Sequence, residues 1–170
     1  MKKIVLPIII FSAFAVNAQN TVIPTDHLKV EGKVKNEMLF SLSDLDTFKK
    51  TTLGDVAIIS GTGQVEQNSK EVKGILLKDL FQKIEFQAEN HKALNKFYVV
   101  FSASDGFKLV LSRNEIFHTN ACNNFYLITD MDGKKINELD QRILIMEIAD
   151  SKTGHKRIEG LEKIVIKEAE

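Results

Sequence analysis

Four basic residues crowd one stretch near the C-terminal end: Lys152, His155, Lys156 and Arg157. Such side chains hold phosphate, sulfate or carboxylate groups, arginine through a planar fork and lysine as a point charge. If Arg142 or Arg113 converges on this stretch, an anion site results; if neither does, the stretch is an ordinary solvated hairpin. Two further patterns hint at metal chemistry, and both fail on spacing. Asp130-Met131-Asp132-Gly133 has the look of a calcium loop, but with Gly133 as its sixth position the first and twelfth fall on Ile128 and Leu139, which bring no oxygen ligand. A hairpin turn accounts for it. His118 and Cys122 stand four residues apart, as a ligand pair on one helix face would. No third ligand joins them, because His27, His91 and His155 lie in separate segments and no CxxC, HxxxH or CxxCH occurs.

Nucleophile and phosphate motifs are also missing. Ser60-Gly61-Thr62-Gly63 lacks the lysine of a phosphate-cradling loop, and there is no GxSxG elbow. Glu66, Glu71, Asp105, Asp130 and Asp132 fall in strands and turns where solvation is the expected state. Cys122 has apolar neighbours, Ala121 and then residues 125–128, which predict burial of a small side chain over catalysis.

Many short strands have to position these residues. Residues 28–35 alternate apolar and polar, as a half-buried strand does, with a turn at Asn36-Glu37. Residues 38–42 are extended, and Ser43 is the expected cap of a short helix carrying Leu45 and Phe48 inward. Residues 55–60 form a strand that returns through Gly61-Thr62-Gly63 into an exposed strand over 64–72. Leu77, Leu80, Phe81 and Ile84 follow the i, i+3, i+4, i+7 spacing of a helix stripe. A polar loop over 90–95 precedes strands at 97–102 and 107–111, joined through Ser104-Asp105-Gly106. Ser112 and Glu115 form a capping box, and residues 125–129, 143–148 and 161–166 supply three more strands, separated by Asp132-Gly133 and Thr153-Gly154 turns. This order predicts one α+β domain with a mixed, β-rich sheet core and two or three short helices.

The chain has 170 residues, with 23 Lys+Arg against 23 Asp+Glu, 44% hydrophobic residues and one cysteine. That composition excludes a disordered chain and a disulfide scaffold, and the balanced charge gives no sign of a nucleic-acid partner. Lys2 and Lys3 precede an apolar run over residues 4–16, and Val16-Asn17-Ala18 presents small residues at a cleavage site. Residues 1–18 therefore read as a signal peptide cleaved near Ala18. The run is shorter than the roughly 20 residues that span a bilayer, so no membrane span is expected after cleavage. Cleavage removes 18 residues and leaves 152, with two bases lost and no acid. The mature protein is expected in the periplasm or secreted, with a polar leader over residues 19–27 and a domain over 28–168.

The segment order resembles the molybdopterin-binding domain of the sulfite-oxidase-like oxidoreductases, especially its small exported members. The resemblance runs through Leu28-Lys29-Val30-Glu31-Gly32-Lys33-Val34, Phe40-Ser41-Leu42-Ser43-Asp44-Leu45 and Lys73-Gly74-Ile75-Leu76-Leu77-Lys78-Asp79-Leu80. It continues through Ser104-Asp105-Gly106-Phe107, Leu111-Ser112-Arg113-Asn114-Glu115, residues 142–145 and residues 156–166. It implies that catalytic members ligate molybdenum through a cysteine on the segment before the Gly74 motif. Residues 56–72 hold no cysteine here; Ser60 is the nearest equivalent, and a hydroxyl replaces a soft thiolate poorly. Arg157 replaces the usual tryptophan of the closing motif.

The expectation is thus an exported, non-catalytic domain on this scaffold, without cofactor. It would bind a small anionic ligand or an exported protein partner, with Ser60, Arg142, Lys156 and Arg157 as ligand-binding residues. The alternative is a molybdopterin-dependent oxidoreductase, or a subunit of one, that holds its cofactor without a protein thiolate. A third reading gives Cys122 a redox or interaction role.

Overall fold

The predicted strands near the two ends of the chain lie side by side. The computed structural model describes residues 21–59, 62, 64–119, 123–148 and 156–170. In it β1 (His27–Gly32) pairs parallel with β11 (Leu161–Glu168), from Lys29 opposite Lys163 to Gly32 opposite Ile166. Leu28 and Val30 point inward with no exposed surface, while Lys29 and Glu31 alternate outward, as a period of two requires. β2 (Met38–Ser41) flanks β1, and β5 (Phe97–Ala103) flanks β11, with β6 (Lys108–Ser112) at the edge. The β5–β6 turn runs through Gly106 at φ +89°, with its N–H donated to the Ala103 carbonyl at 3.0 Å.

A second sheet holds β3 (Thr51–Ile59), β4 (Val65–Leu76), β7 (Phe125–Met131), β9 (Leu144–Glu147) and β10 (Arg157–Ile158), in the order β10-β9-β7-β4-β3, with β8 (Lys134–Lys135) on β7. The exposed strand expected over 64–72 and the lead-in at Gly74 prove to be one strand of 12 residues. β4 pairs with β3 along most of its length and passes to β7 at Lys73–Leu76, after a left-handed residue at Glu71 (φ +52°). Beyond the kink, strand alternation puts Val72 in one apolar cluster and Ile75 in another.

Among the described residues three short helices cap the sheets, α1 (Leu42–Asp46), α2 (Leu77–Phe81) and α3 (Arg113–His118), with a 3₁₀ turn at Ala93–Lys96. Ser41, not Ser43, caps α1, exchanging bonds with Asp44 in a capping box. The Ser112–Glu115 box caps α3 as its spacing predicts. The predicted stripe of Leu77, Leu80, Phe81 and Ile84 is buried throughout, although the α-helix stops at Phe81. Around Phe81 the rings of Phe86, Phe101 and Phe117 lie with centroids 6.4, 6.2 and 6.2 Å away. Such contacts add to area burial.

Both sheets share this core. A second, smaller cluster covers the outer face of the second sheet, where Val56 and Ile58 of β3 meet Ile128, Leu144 and Met146. Burial on both faces explains why β7 and β9 are almost continuously apolar instead of alternating. The result is a mixed, sheet-rich α+β domain. No described helix is long and apolar enough to cross a membrane. The signal segment, Ser60, Cys122 and the Thr153-Gly154 turn lie outside the described residues.

One carboxylate departs from its expected solvation. Asp130 is 8% exposed, and it accepts hydrogen bonds from Lys135 Nζ and, at 2.9 Å, from Thr129 Oγ1. Burial alone would push its pKa up. The bonds from Lys135 and Thr129, with the charges of Lys135 and Lys50, outweigh that and hold it below the ordinary 3.8.

Two predictions follow from this packing. Phe81→Ala should destabilise the domain by about 3–5 kcal/mol, read as a lower urea midpoint at unchanged slope. A smaller loss would mean that the aromatic cluster collapses into the cavity. Because the folded pKa of Asp130 is depressed, its contribution is full above the unfolded value of about 3.9 and is lost as pH falls through the lower folded value. Asp130→Asn should therefore flatten the fall of stability with pH in the range below about 4, measured by urea titrations at stepped pH.

Candidate functional site

The cations singled out by sequence do not share a pocket among the described residues. Arg142 sits ahead of β9 in a left-handed conformation (φ +58°), its N–H donated to the Leu139 carbonyl at 3.1 Å and its Nη1 to Asp26 Oδ1. Thr25 bridges to the same residue. Arg142 therefore straps the leader to the second sheet. Nearby, Ser104 Oγ and Ile23 exchange bonds of 2.7 and 2.9 Å, so the expected polar leader is docked from Ile23 onward.

Lys156 and Arg157 are adjacent in sequence and turn to different partners. Ile158 enters the main core, so alternation along β10 sends Arg157 toward the outer cluster, where it lies opposite Met146. Its Nη2 is 2.5 Å from Glu159 Oε1, and its Nη1 is 3.5 Å from Gln67 Oε1. Lys156 Nζ instead lies 3.3 Å from Glu147 Oε2 and 5.5 Å from the centre of the Phe125 ring. Each of the three cations thus has its own carboxylate. Ser60, the fourth predicted residue, lies outside the described residues, as do Lys152 and His155.

Of the four predicted residues, Arg157 lines a described cleft. Its volume is about 330 Å³, its floor is Met131 and Leu139, and its walls are Gln67, Asp132, Lys134, Asp140, Gln141, Arg157 and Glu159. Two buried donors there, Arg157 Nε and Gln141 Nε2, have no acceptor among the described residues. An unmatched buried donor costs roughly 1–3 kcal/mol, which an arriving acceptor would recover in part. The other polar groups are committed: Lys134 Nζ lies 3.5 Å from Asp140, and Asp132 Oδ1 accepts the Lys70 N–H at 2.6 Å. Of the three described non-glycine residues at positive φ, Asp132 lines this cleft, Arg142 follows its lining residue Gln141, and Glu71 lines a separate cleft with Asp55 and Lys73.

Sequence reasoning singled out Arg157 of this cleft but not Gln67 or Gln141. A glutamine in a polar strand or a turn carries no signal of its own; only the folding of the β3–β4 hairpin over β7 and β9 brings the two to one cleft.

Among the described residues no three His, Cys, Asp or Glu gather as a metal donor set, and Arg142, Lys156 and Arg157 stand apart, each beside a carboxylate. The segment over 56–72 offers no thiolate.

No family model matches the chain, and no curated protein matches it. The fold is similar to that in the crystal structure of the sulfane dehydrogenase SoxCD from Paracoccus pantotrophus, with a TM-score of 0.55 at 13% identity over 82% of this chain. The match spans 37% of that longer chain. At this identity the likeness is one of fold alone.

Proposed function

We propose that this chain is an exported, non-catalytic binding domain on an oxidoreductase-like scaffold, which takes a small ligand by one anionic or carbonyl group in the cleft at Arg157. The two buried donors without acceptors, Arg157 Nε and Gln141 Nε2, are the observation that carries this reading. Charge narrows the ligand. Three carboxylates, Asp132, Asp140 and Glu159, stand against Lys134 and Arg157 around the cleft, so a polyanion meets net repulsion. A single carboxylate or carbonyl with a neutral or cationic remainder suits it better. Export to the periplasm or the exterior rests on the signal segment over residues 1–18, and the distant fold likeness favours the alternative of a molybdopterin-dependent oxidoreductase.

Small monocarboxylates such as acetate and glycine should raise the melting temperature of the mature protein saturably; 100-fold excess over Kd corresponds to about 2.7 kcal/mol. Gln141→Met should remove that response while stabilising the free protein by about 1 kcal/mol, because an unsatisfied donor disappears. If none of these probes shifts the wild type, the cleft is not a ligand site. Elemental analysis of protein purified from its native host tests the alternative directly: stoichiometric molybdenum would overturn the non-catalytic reading.

A further inference from the structure

Arg113 is the one described arginine without a carboxylate partner; Arg142 pairs with Asp26 and Arg157 with Glu159. Its nearest acid along the chain, Glu115, is committed to the helix cap, where Oε2 accepts from the Ser112 N–H at 2.7 Å and from Ser112 Oγ at 2.8 Å. Instead of a counter-charge, Arg113 has an aromatic floor. Its guanidinium lies 4.7 Å from the centre of the Phe117 ring, one helical turn on, and 5.9 Å from that of Phe86. Phe117 meets Phe81 edge to face at 6.2 Å and Phe86 at 6.3 Å, so the floor is anchored in the main core.

A guanidinium seated over an aromatic ring keeps N–H donors that can grip an oxyanion. Arg113 Nη1 lies 3.4 Å from Nε2 of His118, an exposed ring; the guanidinium can only donate, so the bond forms in the tautomer that leaves Nε2 unprotonated. Arg113 Nε is buried and without an acceptor. Burial also pulls the Arg113 pKa below its ordinary value, the mark of a cation taken partly out of water with no charge to offset it.

We infer that Arg113, set over Phe117 and near Phe86 with His118 beside it, is an anion-binding site for a small oxyanion, a carboxylate or a tetrahedral ion such as sulfate, gripped by the guanidinium N–H groups. It shares no lining residue with the cleft at Arg157. An oxyanion here supplies the missing counter-charge, and the aromatic floor keeps the fork from swinging away.

The test is an NMR titration of the ¹⁵N-labelled mature protein with sodium sulfate and, separately, sodium acetate, each against sodium chloride at equal ionic strength. The Arg113 Nε–Hε resonance should move saturably. Arg113→Lys keeps the charge and the apolar stem over Phe117 but loses the fork; it should weaken binding at least tenfold, followed through the amides of α3. Gln141→Met should leave this titration unchanged, which separates the site from the cleft. Saturation by acetate alone assigns a carboxylate ligand, and by sulfate alone an inorganic oxyanion; either supports the site. Shifts that track chloride without saturating, or binding undiminished in Arg113→Lys, would overturn it.

Discussion

The parallel contact between β1 and β11 is the constraint within which everything else is built. A parallel pair cannot be closed by a hairpin, so the whole chain between Gly32 and Leu161 serves as its crossover. The contact is tightest at Gly32, where φ is +95° and a Cβ would lie 2.3 Å from the Ile166 carbonyl oxygen. No other residue fits that approach. With β11 fixed between β1 and β5, the Leu161 N–H reaches the Ile143 carbonyl at 2.9 Å and ties the first sheet to the second.

That closure also decides where charge goes. β10 precedes β11 by only two residues, so Arg157 is delivered to the outer face of the second sheet while Ile158 is drawn into the core. The leader is drawn in as well: Asp26, one residue before β1, meets Arg142, and Ile23 meets Ser104. Lys156 and Arg157, adjacent in the sequence, are separated, each beside its own carboxylate. Arg142 and Arg157, expected as ligand-binding residues, are each engaged by a carboxylate, and Arg113, not among those expected to bind, is left without a counter-charge.

Helix capping shows where local reading reaches its limit. Ser112 has an acid three residues on, and its box forms as its spacing predicts. Ser41 and Ser43 each have one too, at Asp44 and Asp46, so the sequence does not choose between them. The choice falls to Ser41 because β2 pairs with β1 as far as Ser41 opposite His27, and the chain turns there. The length of β4 is a similar case. Its polar residues at 66–71 read as an exposed strand and its apolar end as a helix lead-in, because nothing local tells that β7 will pair with Lys73–Leu76.

Strand periodicity, turn residues, caps and the apolar stripe of α2 are properties of neighbours in the chain, and they were enough to establish a mixed, β-rich α+β domain and most of its core. The absence of a cysteine on residues 56–72, which weighs against a thiolate-bound metal, is equally a fact of sequence. The candidate sites are not of that kind. Gln67, Gln141 and Arg157 span 90 residues and meet only because a kinked hairpin folds over β7 and β9, and the isolation of Arg113 depends on which carboxylates the fold spends elsewhere. Pairing between distant charges and donors is set by strand order and register, which no local pattern encodes.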